Sequence, residues 1–168
     1  MKHILISIKP KWVAKILNGE KTIEIRKSMP KCELPCKVYI YCSKGQELWG
    51  DGTGNTWHGI AEDEDLYRVF ELTPNLAKLN GKVVAEFTLK KVGMLKYLSD
   101  ISKCMPTWFE LEKTCLTDKE IKNYLQGKTG YAWHIDDLEI YDKPKELAKF
   151  GLKRPPQSWC YVKESKYE

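Results

Sequence analysis

The chain has 168 residues, of which 42% are hydrophobic and 30% charged, and its formal net charge is +5. That length can bury a core of its own, so a single domain over residues 1–168 is expected. No apolar run approaches the roughly 18 residues of a membrane-spanning helix, and Met1-Lys2-His3-Ile4 lacks the apolar stretch of a secretory signal. These features point to a cytoplasmic protein without a membrane partner.

His3 to Lys9 reads as a strand with Ile4, Ile6 and Ile8 on one face. Pro10 suits the first turn of a helix, where its missing N–H is unpaired anyway. Trp12, Val13, Ile16 and Leu17 form the apolar stripe of that helix, and Asn18-Gly19 ends it. Thr22 to Lys27 then alternates as a strand, with Ile23 and Ile25 on a dry face and Thr22, Glu24 and Arg26 opposite. Two readings compete for this charged face. It is either a solvated surface pair worth at most about 1 kcal/mol, or a rigid platform holding a polar ligand. Lys21 is out of phase with Glu24, so it joins the charged face only if it still belongs to the preceding turn.

Lys37 to Ser43 is a further strand, placing Val38, Ile40 and Cys42 opposite Tyr39 and Tyr41. Residues 44–60 carry Gly45, Gly50, Gly52, Gly54 and Gly59 with Trp49, Trp57 and His58, and read as part of a long flexible insertion around 44–80. Asn80-Gly81 is a turn signal ahead of a strand from Lys82 to Leu89. Ser99 to Leu116 is ambiguous. Thr117-Asp118-Lys119-Glu120 matches a capping box opening a short helix, with Ile121, Tyr124 and Leu125 inward and Gly127 at its end. Gly130 to Ile140 carries Tyr131, Trp133 and Ile135 at strand spacing, with His134 facing the other way. A brief helix from Asp142-Lys143-Pro144 to Gly151 and a closing strand from Ser158 to Lys163 complete the pattern. The class expected is α+β: a small mixed, mainly antiparallel barrel with one helix after the first strand and two short later helices.

Charge is unevenly placed. Residues 1–45 hold nine lysines and Arg26 against Glu20, Glu24 and Glu33, a net of +7, whereas residues 46–76 hold seven acids against Arg68, a net of −6. A basic third suits a polyanion such as nucleic acid, where counterion release drives binding; the plain alternative is solubility. The six cysteines at 32, 36, 42, 104, 115 and 160 include one close pair, Cys32 and Cys36, without a companion histidine or second pair. Reduced thiols are expected there rather than a zinc site, and no metal or cofactor is expected.

Four motifs carry a resemblance: Ser7-Ile8-Lys9-Pro10-Lys11-Trp12, Gly19-Glu20-Lys21-Thr22-Ile23-Glu24-Ile25-Arg26, Asn80-Gly81-Lys82-Val83-Val84 and Pro155-Pro156-Gln157-Ser158-Trp159-Cys160-Tyr161. Together they resemble the ASCH domain family, a branch of the PUA-like barrel superfamily, whose hallmark Gly-x-Lys-x-x-Glu-x-Arg falls on Gly19, Lys21, Glu24 and Arg26. The resemblance implies a PUA-like barrel whose cleft holds RNA or a nucleotide, lined by Lys21, Glu24 and Arg26 with Lys9 nearby. It also implies the longer family type that travels in phage and prophage genomes.

On the binding reading, Arg26 and Lys21 contact phosphate, Glu24 accepts from an exocyclic amine, and Trp133 or Trp159 stacks on a base. The alternative follows small family members that are amidohydrolases on N4-acylated cytidine, using a lysine, a threonine and a glutamate. Lys21 matches their lysine, but Glu24 stands at the threonine position. The acidic partner falls near Thr114, with Glu110 and Glu112 close by. On that reading Lys21 and Glu24 are catalytic, although a carboxylate cannot follow the hydroxyl nucleophile's path. A third reading is an adaptor using the acidic segment.

Overall fold

The isoleucine alternation of the first strand decides where the main core forms. In a computed structural model, which describes residues 2–51, 58–60, 76–96 and 110–163, β1 (His3–Ile8) turns Ile4, Ile6 and Ile8 into one cluster. Helix α1 (Pro10–Leu17) lays Val13, Ile16 and Leu17 onto that face. Its neighbours there are Val38, Ile40 and Cys42 of β3 (Cys36–Cys42) and Phe87 and Leu89 of β7 (Val83–Leu89). The opposite face of the sheet is also dry. Leu5, Tyr39, Tyr41 and Tyr141 meet Phe150 from a short 3-10 turn, Leu147–Phe150, which ends on Gly151 at φ 74°.

Three sheets result. The largest has the order β10 (Asp136–Lys145), β7, β3, β1, β11 (Trp159–Val162), with β1 and β3 parallel and the other pairs antiparallel. A second sheet runs β2 (Ile23–Arg26), β9 (Gly130–His134), β8 (Val92–Leu95). It buries Ile23, Ile25, Ala132 and Leu95 against Ile121 and Leu125 of α2 (Asp118–Leu125). The third places β4 (Leu48–Asp51) between β5 (His58–Ile60) and β6 (Leu76–Lys78).

Several expectations need correction. Among the described residues the strands form three open sheets, not a closed barrel. The span from 130 to 140 is not one strand: the chain leaves the second sheet after His134 and enters the first at Asp136, with Asp137 at φ 47°. Asp142-Lys143-Pro144 does not open a helix but continues β10. Proline is tolerated there because β10 is an edge strand, where a missing N–H breaks no ladder. Part of the expected loop after residue 44 is strand, since Leu48 is fully buried and its neighbours pair with β5 and β6. Trp57 and the acidic run from Glu62 to Asp65 lie outside the described residues, as does most of the ambiguous stretch from Ser99.

The capping expectation holds. The Thr117 hydroxyl accepts from the Glu120 N–H while the Glu120 carboxylate accepts from the Thr117 N–H at 2.7 Å, so the capping box is complete. Among the described residues no helix is long and apolar enough to cross a membrane.

Candidate functional site

The charged face of β2 lies at the seam between the first and second sheets. Lys21 precedes the strand, and its backbone N–H is tied to the Lys15 carbonyl at the exit of α1. Its side chain therefore belongs to the turn and reaches forward past Ile23. The ammonium donates to the carbonyls of Ile23 at 2.8 Å and Thr114 at 2.7 Å, and lies 3.1 Å from Glu24 Oε2. Glu24 Oε1 in turn receives Arg26 at 2.9 Å. The Arg26 guanidinium also donates to the Ser7 carbonyl at 2.8 Å and to the Ser158 hydroxyl at 3.2 Å. A side chain of the second sheet thus ties to β1 and to the segment entering β11, where among the described residues no ladder joins the two sheets.

The surface-pair reading fails on burial: Lys21 is 1% exposed and Glu24 and Arg26 are each 8% exposed. Desolvating a charge costs several kcal/mol even after relaxation, and pairs recover it only with good geometry and full hydrogen bonding. Lys21 meets that condition, because its three donors face three acceptors. Arg26 does not, since its Nε–H is buried with no hydrogen-bond partner. Among the described residues, two cations and one carboxylate also leave the cluster with one positive charge in excess.

Aromatic rings surround this cluster. The Lys21 ammonium lies 5.4 Å from the centre of the half-buried Trp12 ring, which Lys11 also approaches at 4.6 Å. Tyr124 of α2 is 40% exposed rather than inward-facing, and the Lys27 ammonium sits 4.9 Å from its ring centre. Burial pushes the Tyr124 phenol up, Arg26 pulls it down and Glu24 adds to the rise, so this ring shares the field of the charged pair. Lys9, the residue capping α1, is exposed.

The two tryptophans named from the sequence part company. Trp133 pairs across from Glu24 but is fully buried, donates its indole N–H to the Ser28 carbonyl at 3.3 Å, and packs 5.7 Å from Trp159. Both its faces are covered, so in this conformation it is the floor of the site and not a stacking surface. Trp159 is half-buried, donates to the Ser28 hydroxyl at 3.0 Å, and meets Tyr161 edge-on at 5.4 Å.

Sequence reasoning missed Ser7, Ser158, Trp12 and Tyr124 beside the cluster, and named Thr114 only as the neighbourhood of an acidic partner on the hydrolase reading. Ser7 and Ser158 sit inside the quoted motifs, so a signal existed. The Thr114 contact is a backbone carbonyl, which no side-chain pattern encodes. Glu110 is engaged by Lys113 at 2.7 Å. Among the described residues no three His, Cys, Asp or Glu side chains cluster so as to hold a metal ion.

Comparison with solved structures places the fold beside ASCH proteins. The ASCH protein of Zymomonas mobilis superposes with a TM-score of 0.61 at 17% identity, covering 96% of this chain and 88% of that one. A tyrosine-to-phenylalanine variant of the same protein gives 0.62 at 16% identity over 98% and 93% of the two chains. A serine-to-alanine variant gives 0.63 at 15% over 97% and 89%. At such identity the likeness shows the fold alone. No family model and no curated protein matches the sequence.

Proposed function

We propose that this chain is an ASCH-domain protein of the longer, phage-type kind. In this reading it is a PUA-like cytoplasmic module that binds single-stranded RNA or a modified nucleotide at the Lys21–Glu24–Arg26 cluster. The observation that carries the reading is the buried excess of one positive charge together with the unpartnered Nε–H of Arg26. A site that merely stabilised the fold would gain by balancing its charges and donors. A phosphate or a base acceptor supplies both missing terms.

Arg26 is then the direct contact, Glu24 the acceptor for an exocyclic amine, and Lys21 the group that fixes Glu24 in place. Tyr124, Trp12 and the exposed part of Trp159 offer ring surface for bases, and Lys9 adds positive charge along the approach. Recognition of unstacked bases by aromatic faces and charged edges is the usual mode for single-stranded RNA.

The same geometry favours binding over amide hydrolysis. With every Lys21 donor committed, none remains for a developing oxyanion, and both Glu24 oxygens already face cations. Fluorescence anisotropy with short RNAs and a panel of modified nucleosides tests the reading. Affinity should fall steeply with salt, and Arg26→Ala should weaken it at least about tenfold, the loss of one charge-assisted contact. Retained affinity in Arg26→Ala would overturn the assignment. Release of a free carboxylic acid from N4-acylated cytidine, abolished in Glu24→Gln, would replace binding by hydrolysis.

A further inference from the structure

The connection from β2 to β3 carries a second chemical feature, unrelated to the charged cluster. Cys32 Sγ lies 3.2 Å from Cys36 Sγ, and both are free thiols. A disulfide needs the sulfurs at about 2.05 Å, so roughly 1 Å of approach separates this pair from a bond. Their accessibility differs. Cys32 is half-buried and lines an open cleft of ≈ 680 Å³ together with Lys27, Lys31 and Tyr131, whereas Cys36 is 4% exposed at the start of β3.

We propose that Cys32 and Cys36 form a peroxide-reactive dithiol, with Cys32 the attacking and Cys36 the resolving thiol. In the first step the Cys32 sulfur attacks the distal oxygen of a hydroperoxide: the S–O bond forms as the O–O bond breaks, and the thiol proton passes to the departing alkoxide or hydroxide, giving a sulfenic acid and one molecule of alcohol or water. In the second, Cys36 sulfur displaces the sulfenic hydroxyl, forming the disulfide and releasing water. The sulfurs together lose two electrons and the peroxide gains them; a dithiol reductant reverses the change. The division of labour follows from position. Only Cys32 faces the cleft, whereas Cys36 is buried beside it, where burial, reinforced by the contact with Cys32, pushes its thiol up to about 12.

Oxidation here reaches other residues. Ser28, at the start of this loop, receives the indole N–H of both Trp133 and Trp159, and the Lys31 N–H donates to the Tyr161 hydroxyl at 2.6 Å. Closing the thiol pair tightens the segment that these contacts anchor, so tryptophan emission should report the redox state.

The test uses the intact folded chain, stoichiometric hydrogen peroxide, and alkylation followed by peptide mass spectrometry. It does not depend on the RNA reading, since it follows the thiols alone. The expected result is an intrachain Cys32–Cys36 disulfide, formed roughly tenfold faster than any oxidation of the half-buried Cys115 or Cys160, and reversed by dithiothreitol. Cys36→Ser should leave a sulfenic acid on Cys32 that dimedone traps. Should that variant fail to fold, the rate ranking in the native chain decides alone. Oxidation of Cys115 or Cys160 while Cys32 and Cys36 remain alkylatable would overturn the proposal.

Discussion

Replacing Lys21 by methionine keeps most of the side chain's length and volume but deletes the ammonium. Two backbone carbonyls, of Ile23 and Thr114, and one oxygen of Glu24 then lose their donor at a position 1% exposed. Removing one partner of a buried ion pair costs about 3–5 kcal/mol, and each orphaned buried acceptor costs about 1–3 kcal/mol. These penalties overlap, because water or a shifted side chain meets part of the deficit. The expected loss is therefore about 3–5 kcal/mol. An exposed pair would lose at most about 1 kcal/mol. Urea unfolding followed by far-UV circular dichroism measures it, with an unchanged slope confirming that stability and not compactness has altered. The double variant Lys21→Met/Glu24→Gln should be less destabilised than the sum of its parts, with a coupling of about 1–3 kcal/mol. A loss below about 1 kcal/mol for Lys21→Met would refute the burial argument.

Tyr124→Ala should weaken RNA binding by about 1–3 kcal/mol, the value of one stacked base, while lowering the urea midpoint less than truncation of a fully buried aromatic would, because the residue is 40% exposed; unchanged binding would remove Tyr124 from the site. Thr117→Ala removes the capping box of α2 and should cost about 1 kcal/mol of stability without altering RNA affinity, as checked by unfolding and anisotropy side by side. Burial, with repulsion from Lys91 added, holds the imidazole of His134 below its ordinary value of 6.5. The unfolded chain therefore takes up that proton more readily, so this stability is present above pH 6.5 and is lost as the pH falls below it. Thermal melts of the native chain should decline more steeply on acidification than those of His134→Gln, and parallel profiles would exclude the effect.

The elements legible in the sequence are those whose periodicity and punctuation agree. The isoleucines of β1, the Pro10 start and Gly19 stop of α1, the Asn80-Gly81 turn and the Thr117–Glu120 cap each combine a local signal with a matching core demand. The failures have physical causes. Asp142-Lys143-Pro144 imitates a helix start, yet an edge strand accepts proline as well. The glycine-rich stretch after residue 44 hides β4, because its order comes from pairing with distant segments and not from its own pattern. Closure of a barrel was an inference from strand number, whereas register at Asp137 splits the strands between sheets. In the candidate site, the hallmark spacing located Lys21, Glu24 and Arg26. It could not show that Lys21 turns back to two carbonyls or that Trp133 is sealed beneath. Both follow from tertiary packing.

The most direct measurement follows the Nε–H resonance of Arg26 by nitrogen-15 NMR while a single-stranded RNA oligonucleotide is titrated into the labelled chain. The account predicts a saturable shift and slowed exchange of that one proton, in step with the binding isotherm. An oligonucleotide that saturates the protein and leaves this resonance unmoved would show that the buried charges serve the scaffold and that the ligand is held elsewhere.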